Sequence, residues 1–225
     1  MSSTSPNGAQ ALVATLVDAG VDVCFTNPGT SEMHFVAALD DVPAMRGVLG
    51  LFEGVVTGAA DGYARMAGRP AGTLLHLGPG LGNGLANLHN ARRARTPVVN
   101  IVGDHATYHK QYDAPLESDI DAIASAVSGW YRRSTSPADV AADTADAVAA
   151  ALAPPGQVAT LVLPADVCWL PAPGGPATPR AVASTDPVDS DTVATVAALL
   201  REGEPVTLLV GGRTLTRDGT LVAAR

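Results

Sequence analysis

Residues 48–80 have the sequence VLGLFEGVVTGAADGYARMAGRPAGTLLHLGPG, which combines two kinds of apolar pattern. Short apolar runs at Val48–Phe52 and Thr73–Leu77 predict strands. The segment of small residues between them, Glu53–Ala67, predicts a helix that stops before Gly68. A strand, a helix of this length and a second strand form a unit in which the two strands run parallel. This stretch therefore predicts an α/β fold.

The same alternation continues on both sides of this stretch. Further strands are predicted at Val21–Thr26, Pro97–Val102, Trp130–Ser134 and Val158–Leu163, and further helices at residues 8–19, Ser31–Leu39, Ile120–Val127 and Pro137–Leu152. Residues 78–84 are predicted as a Gly-rich loop followed by a helix to about Arg93, and Asp104–Asp119 as a polar loop. We therefore expect a doubly wound, mainly parallel sheet with helices on both faces and its chemistry at the carboxyl ends of the strands.

The composition excludes several classes of protein. Hydrophobic residues make up 47% of the 225 residues and charged residues 16%, which predicts a buried core. The net charge of −8 offers no electrostatic footprint for nucleic acid and no polybasic segment for a membrane surface. There is no apolar run of 18 residues and no signal-peptide pattern, so we expect a soluble cytoplasmic protein.

The sequence predicts more than one domain. Residues 1–168 contain the alternating strands and helices, and residues 169–189 form a Pro-rich linker. Residues 190–225 then begin a second α/β unit with a helix at Asp191–Leu200 and a strand at Val206–Val210. Because one helix and one strand cannot bury their own apolar faces, we expect the chain to be part of a longer protein.

Two residues at predicted strand ends stand out chemically. Glu53 opens a helix beside Leu51, Phe52 and Val55. The helix dipole stabilises a carboxylate at a helix N-terminus, so this position needs no functional explanation. A carboxyl group shielded from water, however, has a raised pKa and can exchange a proton near neutral pH. His76 ends a strand before the glycines, where a packed or capping histidine is the more common interpretation. The residues alone leave both alternatives open.

The remaining polar segments give weaker signals. The glycines of residues 78–84 suit phosphate binding or the close approach of another element, and they match neither the dinucleotide fingerprint nor the P-loop. His105 and His109 flank Tyr108 in the polar loop. Neither histidine pairs nor cysteines have the spacing of a metal site, so no metal ligands are predicted.

Taken together, the motifs carry a family resemblance. They are Asn27-Pro28-Gly29-Thr30, Glu53 with Asp61-Gly62-Tyr63-Ala64-Arg65, Gly78-Pro79-Gly80 with Asn83, and Gly103-Asp104. Over about residues 8–168 the chain resembles the pyrimidine-binding N-terminal domain of thiamine-diphosphate-dependent enzymes of the acetolactate synthase, benzoylformate decarboxylase and pyruvate oxidase group.

The resemblance implies roles for particular residues. Glu53 takes the place of the glutamate that bonds to N1′ of the cofactor aminopyrimidine, and His76 that of a proton-shuttling histidine. The cofactor-binding positions it implies are Asn27, Pro28, Gly29, Glu53, Gly78, Pro79, Gly80 and Asn83. The substrate-binding positions it implies are Thr30, His76, His105 and His109.

The resemblance also implies an activity and partners. The substrate would be a 2-keto acid that is decarboxylated or ligated, and Mg²⁺ would be bound by a further, C-terminal domain. The family implies a homodimer or homotetramer, with an apolar face on helices 53–67 and 79–93. Residues 113–119 resemble acetolactate synthase except at Pro115 and Leu116, whereas His76 fits the decarboxylase pattern, so the subfamily and the use of FAD stay open.

Two other functions compete with this one. The first is a non-catalytic α/β binding or regulatory module that retains the fold. The second is an ordinary Rossmann-like nucleotide binder, which the missing glycine fingerprint disfavours.

Overall fold

A single parallel sheet organises the computed structural model, which describes residues 5–224. Its strands are β1 Val23–Asn27, β2 Arg46–Leu49, β3 Ala71–Leu75, β4 Val98–Asp104, β5 Trp130–Arg133 and β6 Val158–Pro164. They lie in the order β2-β1-β3-β4-β6-β5, and all five neighbouring pairs are parallel. The predicted doubly wound α/β fold is confirmed.

Helices cover both faces of this sheet. They are α1 Gly8–Asp18, α2 Met33–Asp41, α3 Glu53–Ala67, α4 Leu77–Arg93, α5 Ile120–Ser125, α6 Val140–Leu152 and α7 Ala165–Trp169. On one face α1 packs against α2, α6 and α7, and on the other α4 packs against α3 and α5. Every residue of β3, β4 and β6 is buried, as expected for central parallel strands covered on both sides.

A row of polar side chains crosses the buried centre of the sheet. Thr73 on β3 donates to the amide oxygen of Asn100 on β4 (2.7 Å), and the amide nitrogen of Asn100 donates to Thr160 on β6 (3.0 Å). Ser128 also lies within hydrogen-bonding distance of Thr160 (2.6 Å). Thr73, Asn100 and Thr160 are shielded from water but bonded to each other, which is the condition for burying polar groups at low cost.

Several predicted elements differ from the observed ones. The strand predicted at Val48–Phe52 is observed at Arg46–Leu49. A 3₁₀ turn at Thr30–Glu32 precedes α2, so that helix begins at Met33 rather than at Ser31. Helix α6 begins at Val140 rather than at Pro137, because a turn closed by the Asp139 N–H and the Ser136 carbonyl precedes it. The predicted strand Val206–Val210 is not formed. In the described residues no neighbouring strand is available to bond with it, and a lone strand is not stable.

The chain divides into two compact units, Met1–Val182 and Ala183–Arg225. The first half of the predicted linker lies on the first unit. Ala172 is buried there, the Ala177 N–H donates to Thr15 (3.0 Å) and Arg180 pairs with Asp146 (2.9 Å).

Within the described residues, the regular structure of the second unit is helical, and the stretches that join its helices have no regular structure. It contains α8 Ser190–Arg201, a 3₁₀ turn at Gly212–Leu215 and α9 Arg217–Ala223. The side chain of Asp189 caps α8 by accepting from the Thr192 N–H (2.8 Å). Across residues 5–224, no helix has the length and apolar character needed to cross a bilayer.

We expect Asn100→Ala to lower the free energy of unfolding by about 2 kcal/mol, because it leaves the buried Thr73 hydroxyl without its acceptor. Urea unfolding followed by the fluorescence of Trp130 and Trp169, which both lie in the first unit, measures the change. The control is Asn90→Ala on the exposed surface of α4, where we expect a change within about 0.5 kcal/mol. Equal stability of the two variants would contradict a structural role for the polar row.

Candidate active site

The site lies where the chain changes direction within the sheet. From β1 it moves outward to the edge strand β2 and then returns to β3 on the other side of β1. The segments that follow β1 and β3 therefore leave the sheet in different directions and open a crevice at its carboxyl edge, the usual ligand position in such folds. Asn27 ends β1 and is followed by Pro28–Thr30, and His76 follows β3.

Glu53 is held at the meeting point of two helix N-termini. It begins α3 directly after Phe52, and only 7% of the residue is exposed. The Asn83 amide on α4 donates to its Oε2 atom (3.0 Å), and a Cβ at Gly80 would lie 3.2 Å from its Oε1 atom. Among the described residues, none donates a hydrogen bond to Oε1. The carboxylate therefore has one anchored oxygen and one free oxygen.

The apolar neighbours of Glu53 do not shield it as the sequence suggested. Leu51 is 91% exposed, and Phe52 and Val55 are also exposed, whereas Val56 alone of the four flanking apolar residues is buried. The shielding comes instead from the first turns of α4, which pack closely against Glu53 because Gly80 has no side chain.

The Gly-rich stretch 78–84 forms the first turns of α4 rather than the predicted loop. Four glycines are unfavourable in a helix, by about 1 kcal/mol each relative to alanine. The close packing of α4 against α3 opposes that cost, because Gly80 lies against Glu53 and Gly84 lies against Thr57. The close-approach interpretation of these glycines is the one that the structure shows.

Glu32 is a site residue that the sequence did not reveal. It is 1% exposed, and its Oε2 atom accepts from the Gly29 N–H (2.7 Å) and lies 2.7 Å from Nδ1 of His76. Within the described part of the chain its buried Oε1 atom has no hydrogen-bond partner. The one available signal was its position three residues after Gly29, the spacing at which a glutamate can bond back to the N–H before a helix.

His76 caps α4 and lies between two carboxylates. The hydrogen bond with Glu32 is the main cause that raises the pKa of His76, and the charges of Glu32 and Glu53 act in the same direction against partial desolvation. The backbone at Gly29 crosses the imidazole so closely that a Cβ there would lie 2.4 Å from ring atoms. The ring is thus fixed in place, and its charged form is favoured more than in water.

The other predicted site residues occupy varied positions. Asn27 and Pro28 are half-buried at the end of β1, whereas Thr30 is exposed. Gly78 is buried against Ser118, and Pro79 is exposed on α4. His105 and His109 follow β4 with ring centroids 5.3 Å apart, and the His109 ring also contacts Tyr112 in a tilted arrangement.

Neither His105 nor His109 is joined to Glu53 or His76 by a hydrogen bond among the described residues. Their assignment to substrate binding stays a prediction. The sequence predicted no metal ligands, and residues 5–224 contain no group of three or more His, Cys, Asp or Glu side chains suited to a metal ion.

A family model described as "Thiamine pyrophosphate enzyme, N-terminal TPP binding domain" matches residues 6–125. The chain belongs to this family. The matched residues include Glu53, Glu32 and His76, so the crevice lies within the domain that defines the family.

Comparisons with individual proteins agree with the family model. "Putative acetolactate synthase large subunit IlvX" of Mycobacterium tuberculosis is 67% identical over 219 residues, which are 97% of this chain and 42% of that protein. Benzoylformate decarboxylase of Pseudomonas aeruginosa is 35% identical over 158 residues, 69% of this chain and 29% of that protein. The chain therefore spans less than half the length of these relatives.

A solved structure supports the fold. The thiamine diphosphate-dependent 4-hydroxybenzoylformate decarboxylase of Rhodococcus jostii RHA1 superposes with a TM-score of 0.78 at 26% identity. The match covers 86% of this chain and 37% of that one. The α/β architecture is that of a thiamine-diphosphate-dependent enzyme.

We expect Glu32→Gln to make His76 titrate at a lower pH than in the wild type, because the main cause that raises its pKa is removed. Proton NMR of the imidazole C2–H follows this titration. Asp61→Asn, which removes a carboxylate that pairs with Arg65 on α3, is the control and should leave His76 unchanged. An unshifted His76 in Glu32→Gln would contradict the pairing.

The same pair makes stability depend on pH. Since the pKa of His76 is higher in the folded than in the unfolded chain, its contribution to stability is complete below the ordinary value of about 6.5. That contribution is lost as the pH rises through the folded value. We therefore expect Glu32→Gln to destabilise the chain more at pH 5.5 than at pH 8.5 in urea unfolding. A loss that is equal at both pH values would show that protonated His76 does not contribute.

Proposed function

We propose that this chain is the cofactor-pyrimidine-binding part of a thiamine-diphosphate-dependent enzyme that decarboxylates or ligates 2-keto acids. The main support for this proposal is the burial and hydrogen bonding of Glu53. Its carboxylate is almost wholly buried, is anchored through one oxygen by Asn83, and has its other oxygen free among the described residues. Such a group is suited to exchange a proton with a ring nitrogen of a bound ligand.

The residues at this edge of the sheet fit an aminopyrimidine. Because Gly80 has no side chain, a ligand can approach Oε1 of Glu53. Because Gly29 has no side chain, its backbone can lie at the crevice beside His76. Asn27, Pro28, Gly78 and Pro79 would complete the binding surface. When bound, thiamine diphosphate would supply the carbon nucleophile and the electron sink for the reaction.

His76 and Glu32 supply the second function that the reaction needs. Decarboxylation of a keto acid requires a proton at the carbon that loses carbon dioxide. The contact with Glu32 raises the pKa of His76 and so favours its protonated form, which is suited to donate that proton. Thr30, His105 and His109 are proposed to contact the substrate, since all three lie on segments that follow strands at the same edge of the sheet.

The relatives support both types of reaction. One carries an acetolactate synthase name and another is a benzoylformate decarboxylase, so we propose a lyase or a transferase without choosing between them. We assign Mg²⁺ to a diphosphate-binding domain outside these 225 residues, as in the family. The protein is proposed to act in the cytoplasm.

An exposed apolar surface beside Glu53 supports assembly into a homodimer or homotetramer. Leu49, Leu51, Phe52 and Val55 are all exposed around the start of α3. The exposed face of α4 is polar, with Asn83, His89 and Asn90, so the apolar surface expected on both helices is found at α3. Burial of such a surface against a second copy would stabilise an assembly and would also shield Glu53 from water.

Glu53→Gln tests the proposal in the protein that carries this chain together with a diphosphate-binding domain. We expect turnover of benzoylformate or pyruvate to fall by about 10²–10⁴-fold, because an amide cannot exchange the proton. The matched control is Asp61→Asn on the same helix, where the carboxylate pairs with Arg65 rather than with a residue of the site, and this variant should retain wild-type turnover.

Titration calorimetry with thiamine diphosphate and Mg²⁺ completes the test. Tight binding by the wild type and loss of turnover in Glu53→Gln would support the role of Glu53. Wild-type turnover in Glu53→Gln would exclude that role. Absence of cofactor binding by the wild type would favour a non-catalytic module that retains the fold.

A further inference from the structure

The segment between β4 and α5, residues 105–119, adjoins the candidate site on two sides. Just before it begins, Gly103 on β4 lies against Glu32, since a Cβ there would clash with Oε1 of that carboxylate. At the other end, Ser118 packs on Gly78 near the start of α4, where a Cβ would lie 2.2 Å from the Ser118 side chain. The segment therefore forms one wall of the crevice that contains His76.

Lys110 forms ion pairs with residues at both ends of this segment. Its Nζ atom lies 3.1 Å from Oδ2 of Asp104, the last residue of β4, and 2.5 Å from Oε1 of Glu117, the neighbour of Ser118. Lys110 is the only lysine among the 225 residues, and its side chain is 34% exposed. Lys110, in the middle of the segment, thus connects Asp104, which precedes the segment, with Glu117 near the end of the segment.

Few other contacts hold the second half of this segment. Ala106 is the only buried residue between 105 and 119, and Tyr108, Tyr112 and Leu116 are exposed. The first half is fixed by Thr107, whose backbone N–H and hydroxyl both donate to Asp166. Because little apolar surface is buried here, order in residues 113–118 depends on polar contacts.

Removing Lys110 would affect Glu117 more than Asp104, because the two carboxylates differ in their other partners. Asp104 keeps a second cation, since Arg133 also pairs with it. Glu117 is mostly buried, and within the described residues its Oε2 atom has no partner, so Lys110 provides its ionic contact. Without that contact Glu117 would move toward water, because an unpaired buried carboxylate is costly, and Ser118 would leave Gly78 with it.

We propose that Lys110 is a positioning residue: it holds Glu117, and through it Ser118, against the first turn of α4 and thereby keeps one wall of the His76 crevice in place. This inference deepens the proposed function and rests on it only for the effect on substrate.

Hydrogen exchange of the chain tests the tether without any substrate. The reporters are the amides of Asp113 and Glu117, which donate to the carbonyls of Lys110 and Ala114. We expect Lys110→Met to speed their exchange at least tenfold while the amides of β4 stay protected. Lys110→Arg keeps the charge and can bridge the same carboxylates, so it should restore most of the protection. The control, Arg65→Met, breaks an exposed ion pair on α3 and should change neither amide.

Exchange within twofold of the wild type in Lys110→Met would overturn the proposal. If exchange in β4 rises as well, the whole unit has opened. Glu117→Met then provides the test, because it removes the other partner of the Lys110–Glu117 ion pair. In that variant, faster exchange at Asp113 with β4 still protected supports the tether, and unchanged exchange at Asp113 overturns it.

Turnover separates positioning from a purely structural role. In the protein that turns over benzoylformate or pyruvate, Lys110→Met should raise KM several-fold with kcat within about twofold, and Lys110→Arg should return KM toward the wild type. A loss of kcat with unchanged KM would overturn the assignment of Lys110 to the wall. Because hydrogen exchange needs no activity, a protein that fails the Glu53 test can still confirm or overturn the tether.

Discussion

The rest of the site depends on the close contact between α3 and α4. The Asn87 amide donates to the Gly54 carbonyl (2.7 Å), and the Thr57 hydroxyl lies 3.1 Å from the Gly84 carbonyl oxygen. Such contacts between the main chain of one helix and the side chains of another require positions without side chains, and a Cβ at Gly84 would lie 2.9 Å from Thr57. At a wider spacing the amide of Asn83 would not reach Glu53.

Two carboxylates at this edge of the sheet have different surroundings and are therefore suited to different tasks. Glu32 is paired with a histidine and accepts a main-chain N–H, so its negative charge is compensated within the protein. Glu53 is bonded by a neutral amide, which is consistent with the proton exchange that we propose for it. Enzymes commonly divide acid–base roles between two carboxyl groups in this way.

The parts of this structure that depend on local pattern were predictable, and those that depend on tertiary contact were not. The helix Glu53–Ala67 was predicted with its observed bounds, because small apolar residues and Gly68 define it locally. Residues 78–84 were predicted as a loop, because glycine propensity cannot reveal that α3 lies close enough to favour a helix. Glu32 was missed because His76, which pairs with its carboxylate, and Gly103, which lies against it, are both distant from it in sequence. Val206–Val210 has the composition of a strand, but composition does not supply a neighbour.

The polar row in the sheet has a consequence for alignment. Strands β3, β4 and β6 are buried along their whole length, so apolar contacts alone distinguish poorly between alternative strand alignments. Thr73 pairs directly with Asn100, and Asn100 with Thr160, in the observed register. A shift of one strand by a single residue would separate these partners and leave buried polar groups unbonded. Because His76 follows β3 and Asp104 ends β4, the pairing of these three buried side chains also sets the positions of His76 and Asp104 along the carboxyl edge of the sheet.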